Sequence, residues 1–100
     1  MKSEEQQKRE ALSYLNRASQ ADALLKNPLY IEAINAMQLA MQETFADTKL
    51  EQEKERHELW QRMQLLKQFQ SKFEHIVKKG TKARETLTLL EKSKQFIGIR

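Results

Sequence analysis

Two histidines, fourteen carboxylates and no cysteine are all that this 100-residue chain offers for metal binding, acid–base work or thiol chemistry. A metalloprotease-type zinc site needs His-Glu-x-x-His on one helix face, and His57-Glu58-Leu59-Trp60-Gln61 fails at its last position. A carboxylate di-iron bundle needs Glu three residues before its histidines, where Lys54 and Lys72 stand instead. His57, four residues after Glu53, reads as a solvated helix histidine with an i,i+4 partner. His75 flanks an apolar stripe and reads as a boundary or interface residue. Without cysteine there is no disulfide, thiol nucleophile, iron–sulfur ligand set or zinc finger. The serines and threonines form no nucleophile elbow, and two glycines build no phosphate-cradling loop. Between Glu51 and Glu58 the carboxylates are interleaved with Lys54 and Arg56, as on a salt-bridged solvated face. The expectation is a protein that is not an enzyme, with no catalytic residue, metal, cofactor or small-molecule substrate.

Contact with phosphates is the chemistry that the charges can supply. The formal charge of +4 is unevenly placed: residues 1–50 carry six Lys/Arg against seven Asp/Glu, and residues 51–100 carry twelve against seven. From Arg62 onward the count is ten to three. Lys78, Lys79, Lys82, Arg84, Lys92, Lys94 and Arg100 are therefore the candidate nucleic-acid-binding residues, suited to neutralising phosphates more than to reading bases. The bland alternative is that these lysines stop a helix and keep a small basic protein soluble. No apolar run approaches the roughly 20 residues of a membrane span, and Met1 to Gln7 lack the hydrophobic stretch of a signal peptide. A cytoplasmic protein with no membrane partner is expected.

Helices must position these groups. One valine and no alternating β-branched pattern leave no strand to be expected. Ala11, Tyr14, Leu15, Ala18, Ala21 and Leu25 recur at three- and four-residue spacing, which predicts a helix over about 5–26 with a slim alanine face that permits close approach. Asn27-Pro28 is an N-cap followed by a residue suited to the first helical position, so a second helix should span 28–46. Its stripe of Tyr30, Ile34, Met37, Met41 and Phe45 predicts a well-buried face. Thr48-Lys49-Leu50-Glu51 has capping-box spacing and predicts a third helix over 49–79, ended by Lys78-Lys79-Gly80. Thr81 then caps a short helix over 81–93, followed by a tail at 94–100. The expected fold is all-α: a single domain over 1–100, with an antiparallel hairpin between a flanking N-terminal and a flanking C-terminal helix, open to assembly as an oligomeric bundle.

Setting aside nine alanines and Met1 leaves 29 large apolar residues among the 39, a lean supply for a self-sufficient core. Leu59, Leu66 and Phe73 repeat every seven residues, with Phe69 and Ile76 at the companion heptad position. Packing on the second helix is the first explanation of that stripe, but it leaves residues over. Trp60, Leu65, Phe69, Phe73, Phe96 and Ile97 are the candidate protein-interface residues, for a homo-oligomer or a larger protein partner.

Three runs, Ala23-Leu24-Leu25-Lys26-Asn27-Pro28-Leu29, Arg56-His57-Glu58-Leu59-Trp60 and Val77-Lys78-Lys79-Gly80-Thr81-Lys82-Ala83 with Leu87 beyond, carry a resemblance over most of residues 20–95. The chain resembles short helical proteins of tailed bacteriophages encoded beside head and DNA-packaging genes. That resemblance implies an assembly or adaptor role in head morphogenesis or packaging, in the host cytoplasm or the virion, and no catalytic residues. The alternatives are a packaging accessory like the small terminase subunits, contacting nucleic acid through the basic C-terminal segment, and a small protein inhibitor of a host enzyme.

Overall fold

A computed structural model describes residues 2–98 along the backbone and residues 2–93 with their side chains. It is all-α, with helices α1 (Glu4–Leu25), α2 (Pro28–Ala46) and α3 (Glu53–Gly98) and no strand among the described residues.

Local chemistry sets each helix start. Ser3 Oγ accepts from the Gln6 N–H at 3.2 Å while the Ser3 N–H donates to Gln6 Oε1 at 3.1 Å, a reciprocal cap at the head of α1. Glu4 and Glu5 follow in the first turn, where negative charge suits the helix dipole. At α2, Asn27 Oδ1 accepts from the N–H groups of Leu29 at 2.9 Å and Tyr30 at 3.3 Å, with Pro28 at the first helical position as expected.

The third helix differs from expectation at both ends. Thr48 heads nothing: its hydroxyl donates back to the Phe45 carbonyl at 2.6 Å and accepts from the Arg56 guanidinium at 2.8 Å, closing the end of α2. The Lys49 N–H instead donates to Gln52 Oε1 at 2.8 Å, the Arg56 N–H donates to the Gln52 carbonyl at 3.0 Å, and α3 starts at Glu53 rather than 49. Further on, the helices expected over 49–79 and 81–93 are one continuous helix of 46 residues. Gly80 sits inside it without the positive φ of a C-cap glycine, and the Thr81 hydroxyl donates to the Val77 carbonyl at 3.4 Å instead of capping a new start. The tail expected at 94–100 lies outside the residues with described side chains.

The chain divides into two compact units, Met1–Ala23 with Phe73–Arg100, and Leu24–Lys72. In the first, the terminal unit, α1 runs antiparallel to the second part of α3: Ala11 lines a groove with Ala83 and Thr86, whereas Asp22 lines one with Val77 and Thr81. Ala11, Ala18, Ala21, Gly80 and Ala83 are buried, and Leu15, Ile76, Val77, Leu87 and Leu90 are half-buried around them. A Cβ on Gly80 would overlap the Ala18 Cβ, so the glycine serves close approach of two helices rather than a helix stop.

The second, the hairpin unit, pairs α2 with the first part of α3. Gln38 Nε2 donates to Gln70 Oε1 at 3.2 Å across it, and the Arg56 guanidinium lies 4.3 Å from the centroid of the Phe45 ring. Its large buried side chains are Ile34 and Leu66, each supplying about 1.5–3 kcal/mol by leaving water. The face of α2 expected to be well buried is only partly so. Tyr30, Met41 and Phe45 are half-buried and Met37 is exposed: within the hairpin unit α2 packs on the first part of α3, and one helix covers only one stripe of another.

Candidate functional site

Two surfaces stand out, and they fall in different units. The hairpin unit carries seven Lys/Arg and seven Asp/Glu, whereas the terminal unit carries eleven against seven, so the whole net charge of +4 belongs to the terminal unit. Exposed large apolar side chains divide the other way. Among the residues with described side chains, Leu29, Ile31, Met37, Leu39, Leu50, Trp60, Leu65 and Phe69 are in the hairpin unit, against Leu12, Tyr14 and Leu89 in the terminal one.

Within the hairpin unit the Gln38–Gln70 hydrogen bond brings Met37 and Phe69, each the preceding residue in its helix, to the same level. Leu65, one turn before Phe69, extends that apolar flank; Leu65 is 66% and Phe69 50% exposed. Trp60 occupies the opposite flank, beside Gln38, Gln42 and Met63. Its ring stacks on His57 with centroids 6.0 Å apart and planes 17° from parallel, so His57 leans on an aromatic neighbour rather than on the expected Glu53. Phe73 belongs to the terminal unit and is half-buried, which leaves it less exposed than Trp60, Leu65 and Phe69. Phe96 and Ile97 lie outside the described side chains.

The basic residues named from the sequence do not form one surface. Lys78, Lys79 and Lys82 are exposed on one face of α3 together with His75, at the 75-78-79-82 spacing of neighbouring turns. Arg84 lines a different groove, with Asp22, Ser19 and Thr81. Lys92 is exposed further along, and Lys94 and Arg100 lie outside the described side chains. Folding adds residues that spacing alone does not reveal. Lys2, Glu10 and Tyr14 of α1 and its lead-in line a groove of about 490 Å³ with His75, Lys79 and Lys82. Lys79 Nζ stands 5.7 Å from the Tyr14 ring centroid, and Lys2 Nζ bonds Glu10 Oε2 at 2.7 Å. That hydrogen bond, reinforced by the charge of Glu10, holds the Lys2 ammonium above the ordinary lysine range.

Among the described residues no three His, Asp or Glu side chains gather as a metal site, and no helix is long and apolar enough to cross a membrane. No family model, curated protein or solved structure matches the chain.

Proposed function

We propose that the chain is a non-enzymatic assembly protein that associates with a second copy of itself through the hairpin unit. One observation carries this reading: eight large apolar side chains are exposed on a unit with zero net charge and only Ile34 and Leu66 as large buried residues. Two copies of a neutral surface meet without net repulsion, and flanks like that of Met37, Leu65 and Phe69 gain by covering each other. Met37, Leu65 and Phe69 make one such flank, and side chains of this size offer on the order of 100 Å² each at about half exposure, enough for the apolar centre of an interface whose standard size is roughly 800 Å² per partner. The resemblance to short phage-encoded helical proteins supports an adaptor role in head morphogenesis or DNA packaging.

Light scattering and sedimentation from 5 to 500 µM test the reading. Mass should rise to a dimer or higher oligomer, and Leu65→Gln with Phe69→Gln should return it to a monomer with unchanged helix content. Trp60 is the single tryptophan and stands on the opposite flank, so its emission over the same range reports whether association covers that flank as well. A monomer at every concentration overturns the proposal.

A further inference from the structure

The basic face of α3 in the terminal unit lies outside the proposed self-association surface. His75, Lys78, Lys79 and Lys82 lie within eight residues of helix, about 10 Å along the axis, and all four are exposed. Among the described residues Lys78 and Lys82 have no ion-pair partner, although Glu74 and Glu85 stand beside them on the same helix. Lys79 projects over Tyr14, leaving its ammonium at the groove mouth. Glu10, the carboxylate lining that groove, is engaged by Lys2 and so opposes the lysines less. The neighbouring stripe of α3, Ile76, Gly80, Ala83 and Leu87, is buried or half-buried, with Gly80 against Ala18 of α1, which leaves this face to solvent.

We propose that this face binds the phosphate backbone of a nucleic acid, with Lys78, Lys79 and Lys82 as the phosphate-neutralising residues and His75 and Tyr14 beside them. Three cations within about 10 Å match a charge-dense polymer, since duplex DNA carries one negative charge per ~1.7 Å of axis. A membrane surface is the poorer fit. Interfacial helices insert an apolar face next to their basic one, and here the apolar face of α3 is spent against α1. Binding is sequence-independent, because the phosphate-neutralising residues are lysines, which act as point charges and carry no bidentate fork for base edges.

Fluorescence anisotropy with a labelled 30-base-pair duplex and a labelled 30-nucleotide single strand, at 50 and 200 mM salt, tests the site on the full chain. Three phosphate contacts predict about forty-fold weaker duplex binding at the higher salt. Lys79→Gln with Lys82→Gln should weaken binding at least ten-fold and reduce the salt slope by about two. Lys54→Gln with Lys67→Gln, in the hairpin unit, should leave it within two-fold. All four positions are exposed, so the variants fold, and circular dichroism verifies it. Preference for either strand form supports the proposal and identifies the source of the phosphates. No binding of either form at 50 mM salt, equal losses in the two double variants, or tighter binding to phosphatidylserine vesicles than to nucleic acid overturns it.

Discussion

Gly80 and Ala18 meet so closely that a single methyl group on the glycine would occupy the space of the Ala18 Cβ. The Ala18 Cβ is fixed to its own backbone, so α1 could not yield by moving a flexible side chain. Glycine in mid-helix costs roughly 1 kcal/mol relative to alanine, a cost offset here by packing two helices at short range.

Gly80→Ala should therefore destabilise the protein despite its better helix propensity, by about 1–3 kcal/mol through overpacking. Urea unfolding followed by circular dichroism measures it. Adding Ala18→Gly should recover part of the loss. If Gly80→Ala alone stabilises the chain, the close approach of α1 and α3 is wrong.

Asn27→Ala should cost about 1 kcal/mol, since both the Leu29 and Tyr30 N–H groups lose their acceptor. Asn27→Asp should retain most of the stability. An alanine variant with an unshifted midpoint would mean that the cap contributes nothing.

Arg56 joins the two helices of the hairpin unit through the Phe45 ring and through Thr48 Oγ1 at 2.8 Å. Arg56→Lys keeps the charge but not the planar guanidinium that stacks and bonds together. It should lose about 1 kcal/mol. A double-mutant cycle with Phe45→Leu should give a coupling of about 0.5–1 kcal/mol, and additive losses would exclude direct contact.

Lys2 and Glu10 are a surface pair, with side chains 61% and 45% exposed. Because the folded-state pKa of Lys2 is raised, its stabilising contribution is present below the ordinary lysine range and is lost as pH climbs through the folded value. Glu10→Gln should bring the Lys2 titration down toward the ordinary range, followed by NMR at the Lys2 side chain. The shift should also shrink at high salt. An unchanged titration would show that the pair does not form.

Leu66→Ala should be the most damaging single truncation in the α3 part of the hairpin unit, costing about 2–5 kcal/mol, because Leu66 is 7% exposed where its apolar neighbours on that helix are more open. Leu89→Ala, at 66% exposure, should change stability by less than 0.5 kcal/mol. Thermal melts of the two variants compare them directly, and equal effects would contradict the assigned core.

Local signals in the chain proved sufficient for what local interactions govern. The all-α class follows from helical periodicity and the absence of strand patterns, and the start of α2 follows from Asn27-Pro28, because a cap bonds only to residues two and three positions away. Ser3 with Gln6 three residues on is a local signal of the same kind, passed over by the expected start at about residue 5. Thr48 and Gly80 were ambiguous for a physical reason: a hydroxyl can cap forward or bond backward, and a glycine can end a helix or admit another one. Only the positions of Arg56 and Ala18, eight and sixty-two residues away, decide between those roles. The same holds for the surfaces. Basic residues and leftover apolar ones could be counted along the chain, but the separation of a neutral apolar unit from a charged one exists only after folding. So does the grouping of Lys2 and Tyr14 with Lys79 and Lys82, because burial and long-range proximity are properties of packed helices and not of spacing.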